Sequence, residues 1–437
     1  MKSHMFLFCV IFISVFSNPI KNDFPIPAGA GLNIFEFLDL YDYTHEEHSV
    51  VTEDGYILGL HRITSSPRNR AEGPKPVVFL MHGLESSSMD WVDVGPESAL
   101  GLMLSDTGYD VWLGNNRGNT WSRNHTSLSV KDKRFWDFSF HEIGKYDLSA
   151  LIDHILETTR VNNLTYVGHS QGTTAFFALT ALKPEYNEKI NLMVALAPVA
   201  YMDDMTNWVP RLMSNPINNL IIGFGIQSIR FYDILPHIEL FTVVGKKICP
   251  DGSPLQFLCA DIIYAVAGSS PQLNRNLLPV FLSNTPAGTS YRQMMHYVQE
   301  LRSGHFRAYD YSIIKNRKIY KQSTPPSYNV TNIKAPVALF YSENDVFAAV
   351  QDVTRFANDL PNVVSMNKIK YGQFSHLDFL WATDLNEYVN FDVINLINKY
   401  NNISADSSNS AGLVLQSSNF ILITKLLIIN SINYLFL

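Results

Sequence analysis

The sequence predicts an α/β fold: a mostly parallel central sheet flanked by helices, interrupted by a mostly helical insertion that forms a cap or lid. Three observations carry this expectation. Short apolar runs alternate with helix-period stretches, one run leads straight into a Gly-x-Ser-x-Gly turn, and the alternation lapses across residues 201–323. The runs are 77–81, 109–113, 164–167, 192–196 and 337–341, and β-branched residues are frequent in them. Near-continuous apolarity is what a strand needs when helices cover both faces of its sheet. Residues 146–159 and 173–182 carry the helical pattern between runs.

These stretches divide the chain into expected units. Residues 18–200 form the first part of the core, 201–323 the insertion, and 324–400 the second part of the core. The insertion is rich in Met, Phe, Ile and Pro, greasier than a connector requires, so it is expected to cover the site. An ordinary helical subdomain that never meets substrate is the alternative. Before the core, Met1-Lys2-Ser3-His4 and an apolar run to Phe16 have the form of a secretory signal, with cleavage expected after Ser17. After it, residues 401–437 read as a polar linker and an apolar tail. Small residues from Ser404 to Gly412, followed by apolar residues from Phe420, resemble a GPI attachment signal and suggest membrane attachment through the C-terminus. Lys425 weakens any reading as a permanent span, since a lysine at a helix centre costs about 2.5–3.5 kcal/mol on insertion scales. A tail anchor, or no attachment at all, stays open.

Composition narrows the function. With 46% apolar and 17% charged residues the chain folds, and a net charge of −7 provides no basic field for nucleic acid, so no such partner is expected. Cys9 leaves with the signal, which leaves Cys249 and Cys259 as a pair in an oxidising compartment. They are expected to form a disulfide, with two buried free thiols as the alternative. Sequons at Asn124, Asn163, Asn329 and Asn402 agree with a secretory route.

The chemistry centres on Gly168-His169-Ser170-Gln171-Gly172, set between a strand and a helix. This is a nucleophile elbow, in which Ser170 is held in a strained turn that projects its hydroxyl above the sheet, while Gly168 and Gly172 admit close backbone approach. Such a turn defines the α/β-hydrolase fold. A serine hydroxyl needs a histidine base, and the base needs an acid to fix its tautomer. In this fold the order is serine, acid, histidine, which selects Asp345 at the end of run 337–341 and His376 in a later loop. Glu343 and Asp352 compete for the acid role. The oxyanion formed on attack is expected to bind the backbone N–H of Gln171 and of Leu84, in the loop Met81-His82-Gly83-Leu84. His82 is read as shaping that loop.

Together with Gly114-Asn115-Asn116-Arg117-Gly118-Asn119-Thr120-Trp121-Ser122-Arg123, Phe135-Trp136-Asp137-Phe138-Ser139-Phe140, Lys145-Tyr146-Asp147 and Ala197-Pro198-Val199-Ala200, these motifs resemble the acid lipase family of gastric and lysosomal lipases and their insect relatives. The resemblance spans about residues 33–398. It implies hydrolysis of triacylglycerol or cholesteryl ester at a lipid interface, a helical cap with a lid, and no cofactor or metal. It also implies the same roles for Ser170, Asp345, His376, Leu84 and Gln171. The destination implied is extracellular or lysosomal. Two departures adjoin the site: Ser375 replaces the usual Asn before the histidine, and Val346-Phe347-Ala348-Ala349 follows Asp345 in place of an Asp-Pro stretch. A carboxylesterase acting on smaller soluble esters, and a lipid-binding protein that has lost catalysis, are the rival functions.

Overall fold

A computed structural model describes residues 24–215 and 232–403. The expected signal segment 1–17 and the tail from residue 404 onward lie outside the described residues. Among those described, the first strands are β1 (Thr44–Val51) and β2 (Tyr56–Ser65), an antiparallel pair closed by a turn in which Gly55 takes φ 96°. β3 (Val77–Met81) and β4 (Asp110–Gly114) are fully buried, as continuous apolarity requires. The two-residue β5 (Asn124–His125) adds to β2. β6 (Leu164–His169) and β7 (Ile190–Leu196) follow, then β8 (Asp233–Ile234) and β9 (Thr289–Ser290), which pair with each other away from the main sheet. β10 (Val337–Tyr341) and β11 (Val363–Lys368) complete the set.

The main sheet runs β1-β2-β4-β3-β6-β7-β10-β11. β2 pairs antiparallel with β1 and β4, and every pair from β4 to β11 is parallel. All parallel strands therefore open their carboxyl ends on one side, which is where such sheets keep their sites. Helices α1 (Ile34–Leu40), α2 (Leu100–Asp106), α3 (Ser149–Thr159) and α4 (Gln171–Leu182) belong to the first half of this layered core. α4 is buried along almost its whole length, so it has no face left for solvent.

Between β7 and β10 the described chain carries helices and no strand of the main sheet. It contains α5 (Trp208–Ser214), α6 (Glu239–Ile248), α7 (Gln256–Ala267), α8 (Tyr291–Ser303) and α9 (Ile313–Tyr320). A disulfide between Cys249 and Cys259 ties the end of α6 to α7. The core resumes with β10, α10 (Val350–Asp359), β11 and α11 (Phe391–Tyr400). Four sequon asparagines, Asn124, Asn163, Asn329 and Asn402, are exposed.

Candidate active site

Ser170 sits between β6 and α4 with φ 52° and ψ −115°, a backbone conformation that side-chain-bearing residues avoid. The surrounding chain enforces it. The Ser170 N–H donates to the Leu196 carbonyl at 3.0 Å, anchoring the turn to the tip of β7. A Cβ on Gly172 would lie 2.3 Å from the Met81 carbonyl oxygen, and one on Gly168 would lie 2.8 Å from the Gly172 carbonyl carbon. The elbow closes only because both positions lack a side chain.

The histidine and the acid come from the two strands beyond β7. His376, in the loop after β11, has Nε2 2.8 Å from Ser170 Oγ. Its Nδ1 lies 2.9 Å and 2.8 Å from the two carboxylate oxygens of Asp345, just past β10. The structure thus brings together the three side chains that the chain order selected. Glu343 instead pairs with Lys368, and Asp352 accepts the Asp204 N–H at 2.9 Å, so neither competitor meets His376.

Asp345 is buried, which by itself raises a carboxyl's pKa. The opposing His376, together with the N–H groups of Ala348 and Phe347, holds it below the ordinary range. Those N–H groups donate to Oδ1 at 2.9 Å and 2.8 Å. The stretch that departs from the family's pattern therefore still supplies two donors to the acid. His376 lies between the rings of Phe347 and His169, with centroids 4.8 Å and 5.0 Å away. His169 Nε2 is 3.0 Å from the His376 carbonyl oxygen. Burial, then the neighbouring His376, pushes the His169 pKa down to about 3, so this ring stays neutral and donates one N–H to that carbonyl. Ser375 takes its own place through its N–H, which donates to Asp378 Oδ2 at 2.6 Å.

The loop bearing Leu84 reaches the same point. A Cβ on Gly83 would fall 3.3 Å from Ser170 Cβ, so the backbone before Leu84 runs directly beside the elbow. His82 braces this loop as expected. Its Nδ1 donates to the Gly83 carbonyl at 2.7 Å, and its Nε2 accepts the Asn116 N–H and the Asn119 amide, both at 3.1 Å. Burial pushes its pKa down to about 4, which preserves that pattern. Arg117, in the same Asn-rich loop, is buried with Asp147, whose Oδ1 accepts its Nε–H at 2.7 Å. Both Arg117 terminal nitrogens bond Asp54 at 2.6 Å and 2.8 Å, and the guanidinium lies 3.9 Å from the Tyr56 ring centroid.

Sequence reasoning missed the contribution of the insertion. Gln293, on α8, donates its amide to the Gln171 side-chain oxygen at 2.6 Å, and Tyr297 adds a longer bond at 3.4 Å. The Ala287 N–H donates to the Glu85 carbonyl at 2.7 Å, just past Leu84. Both segments proposed to carry oxyanion donors are therefore tied to residues far along the chain. No local pattern announces such a pair; only a fold brings it together. Among the described residues no cluster of His, Cys, Asp or Glu suited to a metal occurs.

Known proteins resemble this chain over most of its length. Residues 34–95 match a family model described as a partial alpha/beta-hydrolase lipase region, and residues 76–216 match one for the alpha/beta hydrolase fold. Gastric triacylglycerol lipase of Homo sapiens is 40% identical, the match covering 84% of this chain and 91% of the relative. Lipase 1 of Drosophila melanogaster is 37% identical over 88% and 84% of the two chains. Lysosomal acid lipase/cholesteryl ester hydrolase of Macaca fascicularis is 39% identical over 84% and 91%. A solved Sulfolobus solfataricus structure shares the fold with a TM-score of 0.52 at 16% identity, covering 81% of this chain and 99% of its own.

Proposed function

The chain belongs to the acid lipase family of α/β-hydrolases, and from that premise we propose that it is a secreted lipase cleaving carboxylic esters of neutral lipids through Ser170, His376 and Asp345. His376 Nε2 takes the proton of the Ser170 hydroxyl as its oxygen attacks the ester carbonyl. The N–H groups of Gln171 and Leu84 hold the resulting oxyanion. His376 then returns the proton to the departing alcohol, leaving an acyl-serine. Water, deprotonated by the same ring, releases the fatty acid and restores the hydroxyl. Asp345 keeps the Nδ1–H pointing toward itself and stabilises the imidazolium that forms within each half-reaction.

The observation that carries this reading is the continuous chain from Ser170 Oγ through both ring nitrogens of His376 to Asp345, with 2.8 Å at the nucleophile. Support for a lipid rather than a soluble ester comes from the insertion, which acts as the cap. Its α5 and α7 are joined by the Trp208 Nε1–H donating to the Ala265 carbonyl at 3.0 Å. They leave Trp208, Phe257, Ile262 and Val266 roughly half exposed, an apolar surface suited to an oil interface. Relatives named for triacylglycerol and cholesteryl ester point the same way. The secretory route rests on the signal-like start, the paired cysteines and the exposed sequons.

The test is purified protein assayed on triolein, cholesteryl oleate and a short soluble ester, with Ser170→Ala alongside. Turnover of emulsified long-chain ester, lost by roughly six orders of magnitude in Ser170→Ala, is expected. Preference for the soluble ester would replace the lipid substrate. Activity of Ser170→Ala within tenfold of wild type would remove the serine mechanism.

A further inference from the structure

Helix α9 and the residue after it read Ile313-Ile314-Lys315-Asn316-Arg317-Lys318-Ile319-Tyr320-Lys321. Four cations occur in this stretch without one acid, in a chain whose net charge is −7. One side of the helix is fixed. Asn316 is buried, donating to the Asp310 carboxylate at 2.8 Å and the Ser323 carbonyl at 2.9 Å, and the Tyr320 hydroxyl donates to the Tyr309 carbonyl at 2.9 Å. At 100° per residue the direction opposite Asn316 falls between Ile314 and Lys318. Ile314 is 75% exposed and Ile313 58%, with Ile319 also outside. Going round the helix away from Asn316 the order is Ile313, Arg317, Ile314, Lys318, Lys315, Ile319, so Ile314 stands among the three cations and Ile313 and Ile319 flank them. Lys315 additionally lies 4.6 Å from the Tyr311 ring.

We propose that α9 is a membrane-docking element that lays Ile313 and Ile314 into the interfacial zone of an anionic phospholipid surface while Lys315, Arg317 and Lys318 contact its headgroups. The composition selects this occupant. A polyanion such as nucleic acid would use the cations but gain nothing from exposed isoleucines. An apolar protein groove would leave three interleaved cations to be desolvated. A phospholipid surface accepts both kinds of side chain at once, the hydrocarbon at the acyl boundary and the charges among the phosphates. The short stems of the isoleucines match that shallow depth, and the longer cationic chains reach outward past them.

The patch is separate from the groups that carry out ester cleavage, so docking is measured as binding, without turnover. Full-length protein is floated with phosphatidylcholine vesicles and with vesicles that also contain phosphatidylserine, at low and high salt. Wild type is expected to float with the anionic vesicles only, and less so as salt rises. Replacing Lys315→Gln, Arg317→Gln and Lys318→Gln together is expected to weaken that binding about a hundredfold. Ile314→Ser is expected to weaken it about tenfold with the charges intact. A control removing three exposed lysines elsewhere, Lys131→Gln, Lys334→Gln and Lys399→Gln, equalises net charge and is expected to bind like wild type. Hydrolysis of a short soluble ester reports that each variant is folded. Binding that ignores phosphatidylserine, persists in the triple α9 variant, or falls equally in the control overturns the proposal.

Discussion

Asp345→Asn separates geometry from charge at the proposed acid. Oδ1 of Asp345 already accepts two backbone N–H groups at 2.8 Å and 2.9 Å, so the asparagine oxygen is held in that position. The amide nitrogen must then occupy the Oδ2 position, 2.8 Å from His376 Nδ1. Two N–H donors cannot face each other there. The imidazole moves its proton to Nε2 and accepts from the amide at Nδ1. Nε2, 2.8 Å from Ser170 Oγ, then presents a proton where a lone pair is needed. The fold loses little, because both backbone bonds to Oδ1 survive. Activity loses the base, and a wrong-tautomer histidine costs about 10⁴ in kcat, or about 5.4 kcal/mol of transition-state stabilisation. Steady-state kinetics on a soluble ester, with the thermal midpoint measured in parallel, provides the assay. A variant within tenfold of wild-type kcat, equally stable, would show that Asp345 does not set the tautomer of His376.

Three further outcomes follow from the scaffold. Arg117→Met leaves buried Asp147 without its cation, and about 3–5 kcal/mol of stability should be lost at neutral pH by urea denaturation. Burial, outweighing Arg117, has already pushed Asp147 up to about 6, so protonation should shrink the loss toward acid pH; a loss independent of pH would contradict this. Asp90 is pushed up to about 7 by burial, against hydrogen bonds from Ser86 and Thr285, from an ordinary value of 3.8. Its contribution to stability is full below the unfolded value and is lost as pH rises through the folded one, about 4 kcal/mol in all. Between those limits the slope is about 1.4 kcal/mol per pH unit. Asp90→Asn should flatten the fall of the denaturation midpoint across that window, and an unchanged slope would exclude Asp90 as its source. Gly172→Ala drives a Cβ against the Met81 carbonyl and shifts the Leu84 loop, so soluble-ester kcat should fall roughly a hundredfold with KM little changed. A threefold effect or less would mean that the loop absorbs the methyl group.

Legibility followed the physics of burial. β3 and β10 keep the bounds that their apolar runs suggest, because strands covered on both faces carry a strong local signal. β1, largely exposed, and β11, which alternates along a sheet edge, carry a weaker one, and β2, though mostly buried, is interrupted by Gly59, His61 and Arg62, so none of the three is among the expected runs. The helix expected from residue 146 extends back to Phe140 through a π-type turn, Ile143–Leu148, which no 3.6-residue pattern shows. In the site, Ser170, Asp345 and His376 were legible because chain order and strand ends constrain them. Gln293 was not, since its partner Gln171 lies 122 positions away and the pairing depends on where α8 comes to rest.

That pairing limits how such enzymes are rebuilt. The Gln293 amide and the Ala287 N–H grip the turn after Ser170 and the loop opposite, so the helical segment braces both. Chimeras that exchange it for a relative's segment in search of a new acyl preference must also import polar partners for those two grips. A graft chosen by pocket shape alone would change the reaction rate before it changed the choice of fat.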